Sequence, residues 1–65
     1  MSNTVEELKT AFETFLVEDA KFVGGNSAAG TRSRKSLQDV AKLVKARRNE
    51  ITAEKNARAE AKKTA

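Results

Sequence analysis

Arg32, Arg34 and Lys35 lie within four residues, and no acid follows them until Asp39. Lys42, Lys45 and Arg48 continue the series. Cationic side chains at this density suit one kind of chemistry: neutralising phosphate oxygens and releasing their counterions. The ingredients of other chemistries are missing. The 65 residues include no His and no Cys. That removes the commonest general base and metal ligand, and any thiolate to bind a metal or disulfide to staple the fold. The neighbours Glu6–Glu7 and Glu18–Asp19 diverge by about 100° on a helix, so neither pair can share a site. The segment Gly24-Gly25-Asn26-Ser27-Ala28-Ala29-Gly30 resembles a phosphate-cradling loop in glycine content alone, because the closing lysine and the preceding strand of a P-loop are absent. The chain is therefore expected not to be an enzyme, with no catalytic residue, metal, cofactor or small-molecule substrate.

The charge is unevenly distributed. The formal net charge is +4. Residues 1–25 carry Lys9 and Lys21 against Glu6, Glu7, Glu13, Glu18 and Asp19, a net of −3. Residues 26–65 carry eleven Lys or Arg against Asp39, Glu50, Glu54 and Glu60, a net of +7. A split of this kind points to a polyanionic partner for the second half. No stretch approaches the ~18 apolar residues of a membrane span, and no basic-then-apolar leader opens the chain. The expectation is a soluble, cytoplasmic protein with no membrane partner.

Two helices must position these charges. Thr4-Val5-Glu6-Glu7 fits a capping box with Thr4 as the cap. Steps of 100° gather Val5, Leu8, Phe12, Phe15, Leu16, Phe22 and Val23 on one face, which predicts a helix over 5–23. Gly24 and Gly25 stop it, with Gly free to enter the left-handed region, and Asn26 or Ser27 can cap the next helix. The turn is read as 24–26. Leu37, Val40, Leu43, Val44 and Ile51 recur at helical spacing in a run without Gly or Pro, which predicts a second helix over 27–62 with a frayed basic end. No alternating or hairpin pattern signals a strand. The fold class expected is all-α: a single domain over 1–65, folded as an antiparallel helical hairpin with a long second helix.

A tight turn makes the helices antiparallel neighbours, with facing residue numbers summing to roughly 49. Phe12 then meets Leu37, Leu8 meets Val40 or Ala41, and Val5 meets Val44. Asp19 interrupts the first apolar stripe and is expected to pair with Arg32. Three Phe and a handful of aliphatic residues leave a two-helix layer with one side wet, which is marginal at this size. A second copy would bury the stripe. Val5, Leu8, Phe12, Phe15, Leu37, Val40, Val44 and Ile51 are the expected core and dimer positions of a four-helix bundle.

On the second helix Arg34, Lys35, Lys42 and Lys45 fall within about a 100° arc away from the apolar stripe. Few Glu–Lys pairs at i,i+4 balance this arc, as they would on a merely solvated helix. Beyond Ile51 the stripe position is taken over by Lys55, Arg58 and Lys62. All three Phe lie in the first helix, so base stacking on single strands is not expected. Nor is there a motif that reads base edges in a groove.

The segment from Gly25 to Asn56, GNSAAGTRSRKSLQDVAKLVKARRNEITAEKN, resembles the bacterial histone-like family of linker-histone type. Gly25, Asn26, Ala28, Ala29, Gly30, Arg32, Arg34, Lys35, Leu37 and Asp39 carry the likeness. The resemblance implies DNA binding and nucleoid organisation. Together with the charge pattern it leads to the expected function, non-specific binding of double-stranded DNA by a histone-like, nucleoid-associated protein. The expected phosphate contacts are Arg32, Arg34, Lys35, Lys42, Lys45, Arg48, Lys55, Arg58 and Lys62. RNA is a further candidate, since phosphates alone do not separate the two. The alternative is a small helical interaction or assembly module, such as a virion component, that binds a protein through its apolar stripe.

Overall fold

A computed structural model describes residues 3–64, and side chains as far as Lys62. Two helices, α1 (Thr4–Val23) and α2 (Ser27–Thr64), make up the described chain, which contains no strand. They pack on one another across a three-residue turn.

Asn3 caps α1, not Thr4. Its side-chain oxygen accepts from the N–H groups of Val5 and Glu6 at 3.0 and 3.3 Å. Its carbonyl accepts from the Glu7 N–H at 3.0 Å. Thr4 therefore stands inside the helix, which frees its hydroxyl for a long-range contact described below. At the other end Gly25 has φ +107°. The Asn26 N–H reaches back to the Lys21 carbonyl at 3.0 Å, and the Gly25 N–H to the Phe22 carbonyl at 2.9 Å. This pair of bonds satisfies the last carbonyls of α1 and is the Schellman arrangement that requires glycine at the left-handed position. Asn26 then caps α2, its side-chain oxygen accepting from the Ala29 N–H at 3.1 Å.

The seam of α2 against α1 runs Ala29, Ser33, Ser36, Val40, Leu43, at alternating steps of four and three. Ala29, Ser33 and Ser36 are buried; Val40 and Leu43 are half-buried. The smallest residues lie nearest the turn, where they allow the two helices to approach closely. Gly30 extends this close approach. A Cβ built on it would meet the Phe22 ring at 2.6 Å, so Phe22 lies directly on the backbone of α2.

The large apolar residues are only partly covered within the hairpin. Leu8, Ala11 and Phe15 are half-buried against α2. Val5, Phe12 and Leu16 remain 48%, 48% and 51% exposed, and Leu37, Val44 and Ile51 remain 46%, 41% and 46% exposed. The apolar stripe of α1 is wider than the strip that one neighbouring helix covers. Its near edge is buried, and its far edge, about 90° round the helix, is not. Phe12 and Phe15 straddle this boundary with ring centroids 6.0 Å apart.

The register at the turn end is set by Glu18 and Arg32, whose numbers sum to 50. At the open end Thr4 Oγ1 donates to Glu50 Oε2, well beyond a sum near 49. The lean of helical side chains toward their own N-terminus explains the difference. Thr4 leans away from the turn, and the long Glu50 leans back toward it, so they meet across about one helical turn. Ile51 is the next residue after this contact. Past it α2 runs unaccompanied to Thr64, a projection of about 20 Å at 1.5 Å per residue.

The result is a rod of 59 × 16 × 16 Å with a radius of gyration of 17.0 Å. A globular chain of this length would have about 11 Å. The accessible surface is 5368 Å², against about 4,100 Å² for a compact monomer of this mass. The excess surface lies on the apolar flank of the hairpin and the free end of α2.

Candidate nucleic-acid interface

Arg34, Lys35, Lys42 and Lys45 are all exposed. On α2 they lie diametrically opposite the Ala29–Ser33–Ser36–Val40 seam, so α1 cannot cover them. Thr31, Gln38, Asn49 and Thr52 extend the same face, Gln38 between these cations and the others beyond its ends. This gives a strip of hydrogen-bond donors in which the charges are all positive from Thr31 to Asn56. Helix geometry spreads Arg34 to Lys45 over about 17 Å.

Pairing divides the cations into two groups. Among the described residues, ion pairs engage Lys21, Arg32, Arg47 and Arg58. Arg34, Lys35, Lys42, Lys45, Arg48 and Lys55 form no ion pair within the hairpin. The unpaired group can neutralise an external anion without first breaking an internal contact.

Arg32 belongs to the other group. Its Nε donates to Glu18 Oε2 at 2.8 Å, and Lys21 Nζ stands 3.8 Å from the same carboxylate. The expected Asp19–Arg32 pair is replaced by this one. The two acids differ by about 100° of helix rotation. Glu18 falls on the flank where Arg32 emerges; Asp19 falls on the opposite, apolar flank. There Asp19 shares a shallow depression with Phe22, Gly30, Ser33, Arg34 and Leu37.

The C-terminal seam is less uniformly basic than its spacing suggests. Arg58 Nε donates to Glu54 Oε1 at 3.0 Å, one helical turn back. Arg47, Glu50, Ile51, Glu54, Lys55 and Arg58 line one hollow, so two carboxylates stand among the cations. Lys62 is exposed. Lys42, at one edge of the main strip, borders a hollow shared with Glu7, Ala11, Asp39 and Leu43. Glu7 and Asp39 mark where the basic face ends.

Arg47, which is not among the expected phosphate contacts, is held within the hairpin. Its Nη1 donates to Glu50 Oε1 at 3.1 Å, while the other Glu50 oxygen takes the Thr4 hydroxyl. The Thr4 hydrogen bond is the main influence holding the Glu50 carboxyl below its ordinary pKa; partial desolvation opposes it, and the hydrogen bond and charge of Arg47 add to the lowering. The Arg47–Glu50 spacing of three was a visible signal of a helical ion pair. The third member, 46 residues away in sequence, was not visible.

Among the described residues no group of His, Cys, Asp or Glu could hold a metal ion, and no helix is long and apolar enough to cross a membrane. The family model described as Histone H1-like protein Hc1 matches residues 2–57. The chain belongs to the histone H1-like Hc1 family. The match takes in all of α1, the turn, the whole basic strip and the first two turns of α2 beyond the hairpin. This is a family of histone-like bacterial nucleoid proteins that bind DNA structurally, not a family of enzymes. No curated protein and no solved structure shows significant similarity to the chain. In this Hc1-type chain all six unpaired cations from Arg34 to Lys55 lie on α2, inside the matched residues.

Proposed function

We propose that this protein binds double-stranded DNA without sequence preference, as a nucleoid-associated protein of the cytoplasm. The observation that carries the reading is the strip of unpaired Arg34, Lys35, Lys42 and Lys45 on the side of α2 that α1 leaves open. In this reading these residues and Arg48 lie along the phosphates. Lys55, Arg58 and Lys62 form a second, weaker set on the projecting end of α2. Arg32 contributes least, because it is held by Glu18. Sequence preference is not expected, since all three Phe lie on α1 and the hairpin has no motif that sets a helix to read base edges in a groove.

The protein acts as a homodimer in this reading. Six large apolar side chains stand about half exposed along one flank, more than an isolated hairpin of this size would leave in water. A second copy packed on that flank makes a four-helix bundle with Val5, Phe12, Leu37, Val44 and Ile51 inside. Ile51→Asp should then turn the dimer into a monomer in light scattering. If wild type is instead monomeric and takes up a foreign helix on this flank, it is a protein-interaction module.

Binding of labelled duplexes of unrelated sequence, followed by anisotropy across a salt series, tests the main claim. Each phosphate neutralised contributes a log–log slope of about −0.9, so the main strip alone predicts about −3.6 per hairpin. The expected result is that slope, equal for all duplexes. No binding at low salt, or binding insensitive to salt, would overturn it. Equal affinity for double-stranded RNA would keep the phosphate contacts and remove the preference for DNA.

A further inference from the structure

Leu37, Val44 and Ile51 are spaced by sevens, so the series is symmetric about Val44. If two copies of α2 run antiparallel with Val44 on the two-fold axis, Leu37 of each meets Ile51 of the other. The same operation places the partner's Lys55 at the level of Ser33. At that level lies the depression that Asp19 shares with Phe22, Gly30, Ser33, Arg34 and Leu37. Asp19 is half-buried there and forms no ion pair within its own chain, while Lys55 is exposed and also unpaired.

We infer that the dimer is antiparallel, with α2 on α2, and that Asp19 of each copy receives the partner's Lys55. This rests on the homodimer reading above and adds its orientation. A parallel dimer would lay the partner's α2 over α1, where Ile51 projects past Thr4 and finds no apolar surface. It would also bring Lys55 and Arg58 of both copies to the same level. The antiparallel form buries Ile51 and matches an acid that the hairpin leaves unmatched.

The orientation has a consequence for DNA. A two-fold axis perpendicular to the helices and in the plane of the interface puts both basic strips on one edge of the bundle. Arg34 to Lys45 of the two copies then overlap about Val44 into a strip of about 30 Å at 1.5 Å per residue. One hairpin supplies only part of this site. A parallel dimer would place the two strips on opposite edges, facing two separate duplexes.

The natural absence of Cys makes disulfide mapping direct. Val44→Cys should cross-link with itself on mild oxidation. Leu37→Cys and Ile51→Cys should each fail alone and cross-link when mixed after refolding together. Charge exchange is the second arm. Asp19→Lys and Lys55→Asp should each weaken the dimer about two- to fivefold, as expected for an exposed pair, and the double variant should recover most of the loss. Circular dichroism checks that each variant remains helical. Self-cross-linking of Leu37→Cys or Ile51→Cys in a protein that light scattering shows to be dimeric would overturn the orientation alone. A monomeric wild type would overturn the dimer itself.

Discussion

Arg32 donates its Nε hydrogen to Glu18 across the hairpin at 2.8 Å, and this bond withholds one cation of the basic cluster from the exterior. Glu18 is mostly shielded while Arg32 is half open to water. The carboxylate therefore competes directly with any phosphate that approaches Arg32. Glu18→Gln should release the guanidinium. DNA affinity at moderate salt should rise, and the salt slope should steepen by up to about one unit as one more phosphate is neutralised. Anisotropy titrations of both proteins on one duplex measure this; an unchanged slope would mean that Arg32 lies off the DNA path.

Lys42 and Lys45 form no internal ion pair, so replacing both with Gln should affect binding more than folding. Gln has nearly the helix propensity of Lys. The Lys42→Gln/Lys45→Gln variant should keep its helical signal and melting temperature. It should bind all duplexes more weakly by a similar factor, with a slope flatter by about two units. If binding is unchanged, the strip is a solvated face, and Lys55, Arg58 and Lys62 become the set to test.

The Thr4–Glu50 contact carries a pH signature. Because the Thr4 hydroxyl, then Arg47, hold the folded carboxyl below its ordinary value of 4.5, the contact stabilises the hairpin above the unfolded pKa. Its contribution is lost as pH falls through the lowered folded value. Thr4→Val removes the main cause. Wild type should melt higher than Thr4→Val near neutral pH, and the gap should close on acidification below about pH 4.5. A gap that does not change with pH would show that the contact does not persist in solution.

Gly25 should tolerate no side chain. Its φ of +107° lies where L residues are strained. Gly25→Ala should cost about 1 kcal/mol and lower the melting midpoint by several degrees in a chain this short. Nothing lies within 4 Å of the added methyl, so the loss is one of backbone conformation and not of packing. Gly30→Ala is a useful contrast. There the obstacle is the Phe22 ring, and swinging this half-exposed ring aside relieves it.

Much of the molecule was legible in its sequence because the causes are local. The 3.6-residue period marks both helices, a glycine pair followed by asparagine marks the turn, and the charge split marks which helix carries the cations. The Gly25-to-Asn56 pattern also pointed to the histone-like family to which the chain belongs.

Tertiary structure decided which edge of each stripe is used. A period fixes a stripe but not its centre, and the stripe of α1 is wider than α2 can cover. Ala29, Ser33 and Ser36 form the buried seam because small residues bring the axes close at the turn. The larger Val5, Phe12, Leu37, Val44 and Ile51 are left beside it. The same rotation, about 100° of helix, gave Arg32 to Glu18 and put Asp19 on the apolar flank. The opposite leans of Thr4 and Glu50 joined residues that simple counting kept apart. The sequence by itself determined that there would be two amphipathic helices, one of them basic, because each turn of helix depends on its near neighbours. Only packing determined what each face meets, because that depends on the relative rotation and depth of two rigid helices, which no local interaction sets.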